Sequence, residues 1–377
     1  MWGKQRNQPG AGAVSEAAVL EALRKVQDPE IHKDLVTLNM IKDMKVEGGT
    51  VRLTVELTTP ACPLKEKIEG DVREALLAVP GVTQVELKMS SNVATSRVAP
   101  ERAPLPGVKH AVAIASGKGG VGKSTVSTNL AVALADAGAQ VGLLDADIYG
   151  PSIPQMMGIR GEARSNGGKI IAFTGHLGVK VMSLGFFLPE GAPVVWRGPM
   201  VSGAIQQMLR DVDWGALDYL LIDLPPGTGD AQLTLSQTIP LTGAVIVMTP
   251  QDVAMNIAGK ALAMFRQLKV PILGIIENMS AFVCPQCSHE TAIFSKGGGR
   301  LAAERLGVTF LGEIPIDPEI CRLSDSGEPL VVAAPESASA GIYRKVAGTL
   351  AGRISVASLT DSPAENVVFI KGPAPAR

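Results

Sequence analysis

At 377 residues the chain can hold two or three domains of ~100 to 200 residues each. A hydrophobic content of 46% allows a large core, and an aromatic content of 4% points to the aliphatic packing of a buried parallel sheet. A formal charge of −1 gives no global field favouring nucleic acid or an anionic membrane, and four cysteines are too few for a disulfide scaffold and suit a reducing compartment.

Residues 1–14, rich in Gly, Gln and Pro, read as a disordered leader without the apolar stretch of a secretory signal. No apolar run approaches the ~18 residues of a membrane span, so a cytoplasmic protein is expected. Residues 15–90 read as a small α+β domain. Ser15 is placed to cap a helix whose apolar positions Val19, Leu20, Leu23 and Val26 follow helical spacing, ending near Asp28-Pro29-Glu30. Ile41 to Val46 and Val51 to Leu57 flank Gly48-Gly49 as a hairpin, a second helix is expected from about Pro63 to Val79, and Gln84 to Met89 reads as a strand. Cys62, just before Pro63, would stand at that helix's N-terminus, where the dipole favours thiolate; the other reading is a small buried cysteine. Residues 91–109, with Pro100, Pro104 and Pro106, read as a semi-rigid linker.

Residues 110–352 carry the chemistry. Ala111 to Ala115 reads as a strand feeding GKGGVGKST, and Lys123, Ser124 and Thr125 open a helix to about Ala137. The glycines Gly117, Gly119, Gly120 and Gly122 let backbone N–H groups, Val121 included, converge on phosphate, and the helix N-terminus adds partial positive charge. Lys123 is assigned to the terminal phosphates of ATP, and Ser124 to Mg2+ through its hydroxyl. Lys118 is an additional cation that the bare motif does not require.

Gln140 to Leu144 reads as the next strand, followed by Asp145-Ala146-Asp147, with Asp147 assigned to polarise the attacking water and Asp145 to support the loop or metal shell. Tyr219 to Ile222 ends at Asp223, a carboxylate placed beside Mg2+, and Gly227 and Gly229 follow as a mobile loop. Ala244 to Met248 and Ile272 to Glu277 are two further buried strands, and the amide of Asn278 could pair with the adenine edge. Beyond it, Cys284-Pro285-Gln286-Cys287 offers two thiolates where a tetrahedral zinc or a cluster wants about four ligands. His289 with another local ligand, a redox dithiol, or the same pair from a second subunit could complete it. Residues 353–377 read as a loose tail.

The position of Lys118 resembles the signature lysine of the deviant Walker A ATPases, in which it reaches across a dimer to the partner's phosphates; a homodimer is what that resemblance implies. Taken in order, GKGGVGKST, LLDADIYGPSIP, WRGPM, DYLLIDLPPGTGD, TPQDVA, ENMSAFVCPQC and GEIPID resemble the Mrp-type iron–sulfur cluster carrier ATPases. The segment TTPACP with Asp28-Pro29-Glu30 resembles the small domain of iron–sulfur assembly factors. The implied architecture is an α/β P-loop NTPase with a mostly parallel sheet and flanking helices, preceded by a small α+β domain. The implied chemistry is a [4Fe-4S] cluster bridged between subunits by Cys284 and Cys287, received from scaffold or donor proteins and delivered to apo-proteins under control of ATP hydrolysis, with no nucleic-acid or membrane partner. The competing readings are a positioning ATPase of the partition or septum type, which has no use for the cysteine pair, and a zinc-stabilised regulatory ATPase.

Overall fold

The computed structural model describes residues 14–95, 104–148, 150–187, 198–227, 238–284, 286–287 and 289–359. The leader up to residue 13, linker residues 96–103, Trp196 and Arg197 of WRGPM, Gly229, Pro285 and the tail from residue 360 lie outside them. The chain divides into two compact units, 1–93 and 94–377.

The first unit is built from α1 (Glu16–Leu23), β1 (Ile41–Glu47), β2 (Thr50–Leu57), α2 (Lys65–Leu77) and β3 (Gln84–Ser91). Ser15 caps α1 by accepting from Ala18 N–H at 3.2 Å. The helix stops at Leu23, earlier than its apolar spacing predicts, because the chain turns at Asp28, whose carboxylate accepts from the N–H groups of Glu30 and Ile31. Gly48, at φ +59°, makes the two-residue turn that pairs Glu47 with Thr50. The strand order is β1-β2-β3, antiparallel and then parallel. Val19, Leu23, Leu35, Val51, Val55, Ile68, Val72 and Leu76 form its core.

In the second unit β4 (Val108–Ser116), α3 (Lys123–Asp136) and β5 (Val141–Asp145) are followed by short strands β6 (Ser165–Asn166), β7 (Lys169–Ile171), β8 (Phe173–Thr174) and β9 (Lys180–Ser183). Helix α4 (Gly198–Arg210), β10 (Val212–Asp213), β11 (Leu217–Asp223), β12 (Gly243–Met248), α5 (Asp252–Gln267) and β13 (Ile272–Val283) come next. Then β14 (Glu290–Thr291), α6 (Gly298–Leu306), β15 (Phe310–Ile316), α7 (Pro318–Ser326) and α8 (Ala338–Leu359) complete it. The nine-stranded sheet runs β14-β13-β12-β4-β11-β5-β9-β8, with β15 on the other side of β13. Its pairings are parallel except where β14 meets β13 and β8 meets β9.

The central strands are buried along almost their whole length, which is why they read as unbroken apolar runs rather than alternating ones. Register then decides what gathers at one edge: Asp223 lies opposite both Ile114 and Asp145, so the phosphate loop and two carboxylates leave the sheet at the same end. The last helix, α8, continues to Leu359, past residue 352 where the domain was expected to end. Buried Tyr343, Leu350 and Ile354 hold it to the core, and the Arg344–Asp136 ion pair ties it to α3 at 2.7 Å.

Candidate functional site

The turn from β4 into α3 is a cradle. Gly120 and Gly122 take φ +74° and +75°, and Ser116 Oγ donates to the Lys118 carbonyl at 3.0 Å. A Cβ on Gly122 would overlap the Asn278 amide, so the loop closes tightly only because that residue is glycine. The loop bounds a cavity of about 160 Å³, lined by Lys118 through Thr125 and, from other elements, Ser116, Asp147, Ser152, Met156 and Pro226. Asp147 thus reaches the phosphate loop as its position predicts.

Beneath the cavity Asp223 is fully buried and receives three donors. Lys123 Nζ and Ser124 Oγ each lie 2.7 Å from its Oδ2, and Ser127 Oγ donates to Oδ1 at 2.6 Å. Among the described residues Lys123, itself 6% exposed, is the cation that neutralises it. The hydroxyl of Ser124 and the Asp223 carboxylate, joined at 2.7 Å, make an all-oxygen pair beside a phosphate cradle, the donor chemistry that suits magnesium.

Asp145 is buried and accepts from Asp147 N–H, Ile153 N–H and Ser183 Oγ at 3.1, 3.2 and 3.1 Å. Burial first, then the neighbouring Asp223 charge, pushes its pKa up to about 7. It therefore holds the loop that carries Asp147 rather than reaching the cavity.

Lys118 Nζ donates to Gln251 Oε1 at 3.1 Å, and Thr249 Oγ1 bonds the same oxygen. Asn278 is buried beside the phosphate loop, and its Nδ2 donates to the Val121 carbonyl at 2.8 Å, bracing that loop.

The cysteine pair closes a hairpin excursion at the end of β13. Val283 and Phe282 pair with Glu290 and Thr291, and Cys284 N–H donates to the His289 carbonyl at 3.0 Å. Cys287 is exposed and Cys284 half-buried. The N–H groups of Gln286 and Cys287, then the Cys287 thiol, point at the Cys284 sulfur and lower its pKa. Among the described residues no three His, Cys, Asp or Glu side chains come together as a metal site, so His289 does not complete one with the pair.

Cys62 corrects the thiolate reading. Helix α2 starts only at Lys65, and burial pushes the thiol up to about 11, with the Glu30 and Asp28 charges adding to the effect.

Sequence reasoning missed Ser127, Gln251 and Glu277. Ser127 lies four residues after Lys123 on one helix face, a signal that spacing carries. Gln251 and Glu277 act through tertiary contacts that no local pattern reports.

Phosphate loop, buried carboxylate and parallel sheet together define a P-loop NTPase. Residues 107–351 match the family described as NUBPL iron-transfer P-loop NTPase, and residues 16–87 match the iron–sulfur cluster assembly protein family. The chain belongs to this family of iron–sulfur cluster carriers. It is 50% identical over 347 residues to the iron–sulfur cluster carrier protein of Synechocystis sp., covering 91% of this chain and 98% of that one. It is 52% identical over 349 residues to the protein of the same name from Deinococcus radiodurans, covering 92% and 97%. Among solved structures it resembles a nucleotide-binding protein from Archaeoglobus fulgidus in complex with ADP, at 43% identity and a TM-score of 0.55, covering 62% of this chain and 91% of that one.

Proposed function

We propose that the protein is an ATP hydrolase that carries an iron–sulfur cluster and hands it to apo-proteins, working as a homodimer in the cytoplasm. The observation that carries the reading is the Cys284–Cys287 turn. It is accessible, with N–H groups already aimed at one sulfur, and it is one half of a ligand set. One chain provides two thiolates and the cluster wants about four, so twofold symmetry supplies the rest. Four unpaired cysteines suit a reducing compartment, and among the described residues no helix is long and apolar enough to cross a membrane.

In the phosphate site Gly117 through Thr125 hold the polyphosphate, with backbone N–H groups and the α3 N-terminus meeting its charge. Mg2+, held by Ser124 and Asp223, would neutralise charge developing on the β- and γ-phosphates. Lys123 turns from Asp223 to the phosphates as the nucleotide enters. Asp147, anchored through Asp145, orients the attacking water. Lys118, released from Gln251, reaches the phosphates of the second subunit.

The test is anaerobic reconstitution with iron and sulfide, counting iron, sulfide and zinc per dimer and recording Mössbauer spectra of wild type and Cys284→Ala. One [4Fe-4S] cluster per dimer, lost in the variant while ATP binding persists, is expected. Zinc alone, or iron indifferent to the substitution, defeats the cluster reading and leaves a regulatory ATPase.

A further inference from the structure

Two separate contacts leave the phosphate loop and converge on one place. The first runs through β13. Asn278 holds the Val121 carbonyl, and the preceding residue, Glu277, is fully buried with its carboxylate accepting from Gly297 N–H at 3.2 Å and Gly299 N–H at 2.5 Å. Adjacent strand residues point to opposite faces, so this one peptide unit touches the phosphate loop on one side and the start of α6 on the other. The second runs through Lys118. Its ammonium is held by Gln251, and Pro250, next to it, lies against Gly298 so closely that a Cβ there would overlap the Pro250 carbonyl oxygen.

Gly297, Gly298 and Gly299 directly follow the cysteine excursion. Gly297 takes φ +81°, Gly298 abuts Pro250, and a Cβ on Gly299 would stand 2.7 Å from the Glu277 Cβ. Two non-glycine residues of the same circuit are also left-handed: Met279 at φ +59°, in the bulge where β13 shifts register against β15, and Ser295 at φ +81°. Such backbone persists only where surrounding contacts impose it. The excursion between them, carrying Cys284 and Cys287, is therefore fixed at both roots by groups that also hold the phosphate loop.

We propose that the Gly297–Gly299 helix start, gripped by Glu277 and Pro250, is the positioning element through which nucleotide occupancy sets the geometry of the Cys284–Cys287 turn. Its two arrangements differ in what Lys118 holds: Gln251 without nucleotide, phosphate with it. Releasing Gln251 frees Pro250 and Gly298 to shift, and drawing in the phosphate loop pulls Asn278 and with it Glu277. The link rests on the phosphate role of Lys118 proposed above, and its use in cluster transfer rests on the cluster reading.

The test is the alkylation rate of Cys284 and Cys287 in the reduced full-length protein, followed by peptide mass spectrometry, with and without saturating Mg2+ and a non-hydrolysable ATP analogue. In wild type the analogue should change the rate by about fivefold or more, the lower end of ordinary coupling between sites. Glu277→Gln keeps the volume but turns an amide donor toward a backbone N–H, and Gly298→Ala forces α6 off Pro250. Both should bind a fluorescent ATP analogue like wild type yet lose most of the rate change. Thermal melts establish that each is folded, and a folded Glu277→Gln decides the matter if Gly298→Ala does not fold. An unchanged rate in nucleotide-saturated wild type, or a full change in the folded variants, overturns the proposal. A wild type that holds its cluster but shows no rate change sinks the coupling alone; one that shows the change but never holds iron sinks the cluster reading alone.

Discussion

Asp223 has no exposed surface, and Lys123 is the cation that neutralises it; such a pair is costly to break from one side only. Asp223→Ala removes the carboxylate and strands Lys123 inside the domain with the Ser124 hydroxyl as its nearest partner, 3.4 Å away. A loss of ~3 to 5 kcal/mol is expected in denaturant unfolding of the nucleotide-free protein. Asp223→Asn, which keeps the shape and an acceptor oxygen, should lose less. His110 gives a pH dependence of definite sign. It is buried, held by the Ala94 carbonyl at 2.8 Å and near Thr242 Oγ1, and burial pushes its pKa down to about 4 from an ordinary 6.5. Between those values the unfolded chain binds the proton and the folded chain does not, so this residue's contribution is complete above pH 6.5 and is lost as pH falls towards 4. His110→Gln keeps a donor and an acceptor without the titration. Its melting temperature should fall less steeply than that of wild type across this range, and parallel profiles would exclude the assignment.

The start of α3 shows how far sequence alone reaches. The phosphate loop, its strand and its helix are local: apolar run, glycines, then helical spacing, each readable in a short window. The positions of Asp223 and Asp147 are legible for the same reason, the first ending an apolar run and the second two residues past the end of one. What could not be read is what lies across from them. A lone amide after a strand, such as Asn278, has no visible partner in sequence, whereas the fold brings the Val121 carbonyl within 2.8 Å of its Nδ2. Likewise α1 stops early because Asp28 turns the chain, and α8 runs on to Leu359 because buried neighbours outweigh the lack of a clear helical period. Gly122 tests this close approach. It takes φ +75°, and an alanine there costs ~1 to 2 kcal/mol for the left-handed backbone alone. The added methyl also collides with the Asn278 amide. Gly122→Ala should fold with a lowered melting temperature and lose most of its affinity for a fluorescent ATP analogue, whereas Gly120→Ala, with no atom within 4 Å of the new Cβ, should bind more tightly than Gly122→Ala.

At the scale of the whole chain, two units each own a core, and the phosphate site belongs entirely to the second. A ligand stabilises only what it binds in the folded state, by RT ln(1 + [L]/Kd), or ~2.7 kcal/mol at a hundredfold excess over Kd. Calorimetry of the full-length protein should therefore show two transitions, and Mg2+ with ADP should raise only one. The enthalpies identify them, since unfolding absorbs ~0.7 kcal/mol per residue near 60 °C, so the transition that moves should be the larger. The smaller belongs to the first unit, whose size lies near the ~60 residues at which a lone core becomes marginal. If nucleotide raised both transitions together, the first unit would be energetically part of the P-loop unit, and its Cys62 would have to be considered alongside Cys284 and Cys287 in any account of how nucleotide acts. If only the larger moves, the first unit unfolds independently of nucleotide.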